Sequence, residues 1–363
     1  MNSIFITNSG IDMATGGGNI SYNIYLTLKE NTDLISVLGS YSSMHIENFN
    51  VINPLFYQQP FSPFLYDYFA LLNLINEIDS IDLAFFYAAP FSLTAEYLKR
   101  KYPKCKIIVD LAPHNIEISM EEHLKLVGQY PYPHFTDKSL WKLYTGHIRI
   151  ANRVIVHSNS SAEYIRKECN LKEMPVVIPH GCNLPETVAP IPEKFVVGAL
   201  NVAGIDKGLI YSLLAWKQLN PKLSWFYVAG DGTEQWQNFI NQQQIPNVRV
   251  FGRVDNVSDF YNKLSVGLFT SVTEGFGICI LETMAHGRPV IVAEGAGASE
   301  IVEDGKEGFV IPIRDVNAIV EKIRYFRENP DEIKRMGRNA REKAKRYTWD
   351  KIREEYRRII NEI

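Results

Sequence analysis

Two acidic residues on either side of a glycine-rich turn are the most informative feature of this chain. Glu274 precedes Gly275-Phe276-Gly277, and Glu282 lies eight positions after Glu274. The glycines let backbone N–H groups approach a ligand that a side chain would hold off. A helix that begins after the turn would point its N-terminus at the same place, which favours a phosphate. Because carboxylates accept hydrogen bonds from paired hydroxyls, the segment predicts a site for a ribose diol or a hexose beside a phosphate.

The elements around this segment would place both acids at one site. The apolar run Val266–Ser271 predicts a strand before the turn, and Gly287 and Pro289 predict the end of a short helix and the start of another strand. Side chains on a helix lean toward its N-terminus, so Glu282, about one turn inside, would return to the same rim. In parallel sheets ligands bind beyond the carboxyl ends of the strands.

The same alternation of apolar runs and amphipathic stretches extends along the whole chain. The runs are continuous, as in parallel strands that are covered on both faces. The predicted strands of the first series are Ser3–Thr7, Leu34–Leu38, Leu83–Tyr87, Ile107–Leu111, Val154–His157 and Val176–Ile178. Those of the second series are Phe195–Leu200, Trp225–Ala229, Val248–Phe251, Val266–Ser271, Val290–Ala293 and Phe309–Ile311. Residues 183–194 contain three prolines and predict a linker. The pattern therefore predicts an α/β protein of two doubly wound domains that face each other across a cleft.

Composition excludes several classes of protein. The 363 residues are 46% hydrophobic and 22% charged, with a net charge of −3, which is typical of a soluble globular protein and argues against nucleic-acid binding. The cysteines lack the spacing of a zinc site, so we expect reduced thiols; they are Cys105, Cys169, Cys182 and Cys279. No apolar run has the length of a membrane span, and no signal peptide is evident. We therefore expect a cytoplasmic protein, with peripheral membrane contact left open.

The acidic segment resembles the E-x7-E signature of retaining GT-B glycosyltransferases, particularly glycosyltransferase family 4. The resemblance extends over some 300 residues, because further motifs occur in the family's order. They are Gly16-Gly17-Gly18, Val156-His157-Ser158, Val176-Val177-Ile178-Pro179-His180-Gly181, Ala229-Gly230-Asp231-Gly232 and Val250-Phe251-Gly252-Arg253-Val254. It implies the GT-B fold, with Rossmann-like domains at 1–182 (acceptor) and 195–345 (nucleotide-sugar donor). It also implies that a terminal helix, 346–363, packs back on the first domain.

The resemblance also implies roles for individual residues. Glu274 would lie beside the donor sugar, Lys207 would bind the diphosphate, and His114 would contact the donor sugar from the first domain. Glu282 would bind the ribose diol. The donor-binding set it implies is Gly17, Gly18, Gly204, Arg253, Gly275, Phe276, Gly277, Ile278 and Glu282.

One departure from the family concerns the charge on the phosphates. The family pairs its diphosphate lysine with an arginine a few residues earlier, whereas Ala199–Gly204 contains none. The charge would then be met by Lys207, helix N-termini, the Gly204 backbone or Arg253. The implied reaction moves a hexose from a UDP- or GDP-linked sugar to a hydroxyl, with retention and with neither metal nor cofactor. No Asp-x-Asp motif for a metal occurs in the sequence.

Alternatives and the acceptor remain open at this stage. A nucleotide-sugar epimerase, a sugar-phosphate synthase and a catalytically silent nucleotide-sugar-binding subunit would share the fold. A NAD-dependent enzyme is disfavoured, because no G-x-G-x-x-G with its acidic partner occurs. Pro54–Tyr68 and Gln129–Tyr144 are rich in aromatic residues that would pack in buried loops or bind a glycan, lipid-linked or small-molecule acceptor. The basic stretch Lys334–Arg358 is interpreted as a solvated helix face, and the chain is expected to be a monomer or homodimer.

Overall fold

A computed structural model divides the chain into two compact units. The first comprises Met1–Pro113, Asp137–His180 and Trp349–Ile363, and the second His114–Thr136 and Gly181–Thr348. The structure describes residues 1–7, 11–12, 16–39, 42–52, 67–68, 70–72, 74, 78–88, 91–113, 115–126, 145–200, 204–219 and 223–363. His114 and most of the two aromatic segments lie outside the described residues.

The first unit contains a parallel sheet of seven strands in the order β3-β2-β1-β4-β5-β6-β7. The strands are β1 (Asn2–Thr7), β2 (Asp33–Gly39), β3 (Phe49–Val51), β4 (Leu83–Tyr87), β5 (Lys106–Asp110), β6 (Arg153–Val156) and β7 (Val176–Val177). Its helices are α1 (Gly16–Asn31), α2 (Ser92–Lys101), α4 (Asn159–Glu168) and α11 (Trp349–Asn361). The strand order reverses direction between β1 and β4, as in doubly wound sheets.

A buried polar cluster ties the terminal helix α11 to the first unit. Asp110, the last residue of β5, accepts a hydrogen bond of 2.5 Å from the hydroxyl of Tyr356 on α11. Nε2 of His157 lies 3.0 Å from the other carboxylate oxygen, and its ring lies 3.6 Å from that of His180. The pKa of His180 lies well below its ordinary value, mainly because the ring is buried and to a lesser extent because His157 lies beside it. The chain end is thus a structural part of this unit.

The second unit contains a parallel sheet of six strands in the order β10-β9-β8-β11-β12-β13. The strands are β8 (Val196–Leu200), β9 (Trp225–Ala229), β10 (Val248–Gly252), β11 (Val266–Phe269), β12 (Val290–Ala293) and β13 (Gly308–Ile311). Its helices are α3 (Ile116–Leu126), α5 (Leu209–Leu219), α6 (Trp236–Gln242), α7 (Val257–Asn262), α8 (Ile278–Ala285), α9 (Val316–Glu328) and α10 (Pro330–Ala344). Here the order reverses between β8 and β11.

The grouping of α3 differs from the predicted boundary, which placed all of 1–182 in the first domain. Glu122 of α3 is fully buried and accepts hydrogen bonds from the hydroxyl of Tyr211 and from Nε of Arg314, the latter at 2.8 Å. Both partners belong to the second unit. A buried carboxylate needs such partners, so this pairing holds the helix there.

The proline-rich segment 183–194 is docked on the second unit. Arg288, which is fully buried, donates to the carbonyl oxygens of Ala189 at 3.0 Å and Pro190 at 3.1 Å. Arg341 donates to the carbonyl of Pro185 at 2.7 Å. Two arginines therefore satisfy backbone groups that would otherwise lack partners in a segment without regular structure.

All twelve predicted strands are confirmed to within about two residues, and the amphipathic terminal helix is present. No prediction from the sequence covered β3 or α3, and Gly146–Ile150 forms a 3-10 turn. In the basic stretch many side chains pair with nearby carboxylates, which supports the solvated-face interpretation; examples are Lys334–Asp331, Arg335–Glu332, Lys345–Glu342 and Arg358–Glu355. Within the described ranges, no helix has the length and apolarity needed to cross a membrane.

Candidate functional site

The candidate site lies in the second unit, where the strand order reverses between β8 and β11. Ligands of doubly wound sheets bind at this position, beyond the carboxyl ends of the two strands. The loop after β8 reaches a 3-10 turn at Ile205–Lys207, and the loop after β11 continues to α8. Val272 N–H donates to the carbonyl of Asp206 at 2.8 Å, and the Thr270 hydroxyl donates to that of Gly208 at 2.9 Å. Two hydrogen bonds therefore join the two loops.

Lys207 and Glu274 form an ion pair across these loops. Nζ of Lys207 contacts Oε2 of Glu274, and Oδ2 of Asp206 lies 3.9 Å from the same nitrogen. Both side chains are mostly enclosed, at 15% exposure for Lys207 and 19% for Glu274. Burial alone would lower the pKa of Lys207, but attraction by Glu274 and Asp206 outweighs it, so the pKa is raised. Lys207 is thus a permanent cation at the rim of the sheet.

The Gly275-Phe276-Gly277 turn is fixed by its backbone. The carbonyl of Phe276 accepts from Ala298 N–H at 2.7 Å, and the Phe276 ring is 1% exposed in the core, so only its backbone can face a ligand. Gly277 has φ of 92°, and a Cβ there would lie 2.9 Å from Cδ1 of Ile280. Glycine is therefore required where the turn enters α8, which begins at Ile278.

Glu282 lies on the second turn of α8, with its carboxyl group enclosed. Its Oε2 accepts a hydrogen bond of 2.7 Å from the hydroxyl of Tyr261 on α7. Burial raises the pKa of Glu282 to about 7, and the hydrogen bond from Tyr261 acts in the opposite direction. This carboxyl group therefore changes charge near neutral pH.

Two other predicted residues follow strands of the same sheet. Gly204 precedes the 3-10 turn and its carbonyl accepts from Lys207 N–H at 3.1 Å; a Cβ on Gly204 would lie 2.5 Å from Oδ1 of Asp206. Arg253 is exposed directly after β10, two strands from β8 in the sheet. Its guanidinium makes no ion pair with any residue that the structure describes.

The second unit thus brings most of the predicted residues to one edge of its sheet. Gly17 and Gly18 belong to the first unit, in the first turn of α1 after β1, and His114 lies outside the described residues. Sequence reasoning missed Tyr261, and it missed Asn115, whose N–H donates to the Thr273 hydroxyl at 2.7 Å. No local pattern marks either residue.

The arrangement combines a buried cation, two carboxylates and the N-terminus of α8. A cation and a helix N-terminus stabilise phosphate oxygens, and a carboxylate accepts hydrogen bonds from adjacent hydroxyls. The chemistry suits a ligand that carries both groups.

Comparison with known proteins agrees with this chemistry. Residues 192–329 match the family model of the glycosyl transferases group 1. An uncharacterized glycosyltransferase of Methanocaldococcus jannaschii is 32% identical over 142 residues, which are 38% of this chain and 40% of that protein. The capsular polysaccharide biosynthesis glycosyltransferase CapM of Staphylococcus aureus is 26% identical over 181 residues, 47% and 48% of the two chains. The matches thus span less than half the length of these relatives.

Solved structures extend the likeness in fold to the whole chain. The sucrose-phosphate synthase of Thermosynechococcus elongatus has a TM-score of 0.81 at 17% identity and covers 100% of this chain and 99% of its own. Anabaena HepE in complex with UDP and glucose has a TM-score of 0.77 at 17% identity, over 99% and 100% of the two chains. The predicted fold class, with two Rossmann-like domains of the GT-B type, is confirmed.

Proposed function

We propose that this protein is a retaining, metal-independent glycosyltransferase of family 4. It transfers a hexose from a UDP- or GDP-linked sugar to the hydroxyl of a glycan, a lipid-linked molecule or a small molecule. One observation carries the proposal. The ion pair of Lys207 and Glu274 lies at the start of α8, the helix that also carries Glu282. The HepE complex with UDP and glucose supports this class of donor.

Each group of the site has a role in this reaction. Lys207 and the N-terminus of α8 bind the diphosphate and offset the charge that grows on it as the sugar departs. Glu274 and the backbone of the Gly275–Gly277 turn hold the sugar hydroxyls, and Glu282 holds the ribose diol. The roles of His114, Gly17 and Gly18 stay predictions from the sequence. The acceptor oxygen bonds to the anomeric carbon on the face from which the diphosphate leaves, as the bond between that carbon and the diphosphate oxygen breaks. The departing phosphate takes the proton of the acceptor hydroxyl, and no side chain acts as a covalent nucleophile.

The first test is thermal unfolding with UDP, GDP, ADP and their hexose conjugates. A ligand at about 100 times its Kd stabilises the folded state by about 2.7 kcal/mol, which raises Tm by a few degrees. We expect a shift with one nucleotide series, and NMR of the product should show the donor's anomeric configuration. No shift with any nucleotide would contradict the proposal, and an inverted product would contradict retention.

Nucleotide affinity is expected to rise with pH. The ionised form of Glu282 can accept hydrogen bonds from both ribose hydroxyls, whereas the protonated form cannot accept both equally well. With the pKa at about 7, the ionised fraction rises about tenfold between about pH 6 and pH 8. Calorimetric Kd values for UDP should therefore fall by up to about tenfold. The control is 2′,3′-dideoxy-UDP, whose diphosphate titrates like that of UDP but which lacks the diol. If the Kd values of UDP and of dideoxy-UDP depend equally on pH, Glu282 does not bind the ribose diol.

The other activities considered from the sequence are not favoured. The likeness to sucrose-phosphate synthase, at 17% identity, concerns the fold and not the substrates. A silent binding subunit would retain nucleotide binding without transfer, so product formation by the purified chain separates it from the proposed enzyme.

A further inference from the structure

One side-chain hydrogen bond holds the carboxylate of Glu282 within the described part of the chain. Tyr261 donates its hydroxyl to Oε2 at 2.7 Å, and Glu282 makes no ion pair there. The ring of His286 does not contact this carboxylate through a hydrogen bond; its Nδ1 is hydrogen-bonded to the main-chain carbonyl oxygen of Glu282, at 2.7 Å. The orientation of the carboxylate therefore depends on Tyr261.

Tyr261 is itself fixed by packing and by its backbone. The residue is fully buried, and its ring lies 5.0 Å from that of His286 and 6.1 Å from that of Phe260. The buried Arg288 donates to the carbonyl oxygens of Tyr261 at 3.4 Å and Asn262 at 3.2 Å, at the end of α7. The hydroxyl is thus presented to Glu282 from a rigid support, as a positioned polar group requires.

We propose that Tyr261 is a positioning residue for recognition of the nucleotide ribose. Its hydroxyl occupies one acceptor site on Oε2 of Glu282 and leaves the remaining lone pairs for the two hydroxyls of the diol. The assignment rests on the proposed nucleotide-sugar function. Tyr261 does not touch the ligand, and it acts through the geometry and charge of Glu282.

The titratable groups described here around Glu282 keep their charge near neutral pH, whereas Glu282 changes its charge there. Burial raises the pKa of Cys279 on α8 and lowers that of His286, which follows the last residue of α8, so both are neutral near pH 7. Directly before the segment 183–194, burial raises the pKa of the Cys182 thiol to about 12. Arg288, whose pKa burial lowers to about 10, stays cationic. The pKa of Tyr261 is raised well above its ordinary value by burial and then by Glu282, so its hydroxyl keeps its proton.

Loss of the Tyr261 hydroxyl therefore has a consequence that depends on pH. The hydrogen bond lowers the pKa of Glu282 against the effect of burial, so its removal raises this pKa above about 7. More of the carboxyl group is then protonated at neutral pH and is unable to accept both hydroxyls. A purely structural role for Tyr261 would weaken binding equally at every pH.

The experiment measures Kd for UDP and for 2′,3′-dideoxy-UDP, with wild type and with Tyr261→Phe, at about pH 6, 7 and 8.5. If wild type binds GDP more tightly than UDP, GDP and 2′,3′-dideoxy-GDP are used instead. We expect UDP binding to weaken about tenfold at pH 7, less at pH 8.5, and dideoxy-UDP binding to stay unchanged. The matched control is Tyr325→Phe, whose hydroxyl donates to Glu332 at 3.1 Å on α10. It should bind like wild type.

The outcomes separate this assignment from the proposed function. If wild type binds UDP or GDP and Tyr261→Phe binds equally well, or loses both analogues equally at every pH, Tyr261 has no positioning role and the proposed function stands. If wild type binds no nucleoside diphosphate, the proposed function fails and the assignment fails with it. A double-mutant cycle with Glu282→Gln gives an independent measure, because Tyr261→Phe should then cause no further loss.

Discussion

Lys207→Ala is expected to lower kcat/KM for transfer by about 10²–10³-fold, the effect of removing one preorganised group that stabilises charge on a leaving oxygen. Lys207 is enclosed and pairs with Glu274, so its removal also leaves a mostly buried carboxylate without a cation. Breaking such a pair costs about 3 kcal/mol in the free energy of unfolding. Release of nucleoside diphosphate and thermal unfolding measure the two effects.

Two further variants separate the role of Lys207 in the reaction from its role in folding. Lys207→Met combined with Glu274→Gln removes both charges, so stability should recover while transfer stays lost. The control is Lys334→Ala, because Lys334 forms an exposed pair with Asp331 at 3.3 Å on α10. Exposed pairs contribute little, so activity and Tm should hardly change. A Lys207→Ala enzyme with kcat/KM within about threefold of wild type would exclude Lys207 from the reaction.

The pairing of Lys207 with Glu274 shows what could be predicted from the sequence. The residues are 67 positions apart, yet each follows an apolar run that forms a strand. Because β8 and β11 are neighbours where the sheet order reverses, both loops reach one edge. The apolar runs are local signals and predict the strands well. The pattern predicted doubly wound sheets but did not give the position of each strand in its sheet.

Tyr261 and Arg288 show what the sequence could not reveal. A tyrosine at the end of a short helix has the same local pattern whether its hydroxyl meets a glutamate or another core group. Arg288 lies about 100 positions from the carbonyls of Ala189 and Pro190, to which it donates. The three prolines predicted a linker, and long-range hydrogen bonds from the buried Arg288 and the partly buried Arg341 dock this segment on the second unit.

The placement of α3 has a similar origin. Its sequence comes before the linker, so a division by chain position assigns it to the first domain. The buried Glu122 overrides chain position, because its carboxylate requires the hydroxyl of Tyr211 and the guanidinium of Arg314. Contacts that are distant in the sequence, those of this buried carboxylate among them, thus place α3 with the second unit.

Gly208→Ala is expected to destabilise the protein by more than about 3 kcal/mol and to weaken nucleotide binding at least tenfold. Gly208 has φ of 63°, and a Cβ there would lie 2.1 Å from the carbonyl oxygen of Thr270. A backbone carbonyl cannot turn aside as a side chain can, so the loops after β8 and β11 must separate. Lys207 and Glu274, one on each loop, would then lose their common geometry.

Gly305→Ala separates the cost of the backbone conformation from the cost of the clash. Gly305 has φ of 78°, but an added Cβ would meet nothing within 4 Å. This variant should lose only about 1 kcal/mol, the cost of a left-handed conformation, and bind UDP or GDP like wild type. Thermal unfolding and calorimetric Kd values on both variants make the comparison. If Gly208→Ala matches Gly305→Ala in both, the two loops are free to move apart, and binding does not depend on a fixed distance between Lys207 and Glu274.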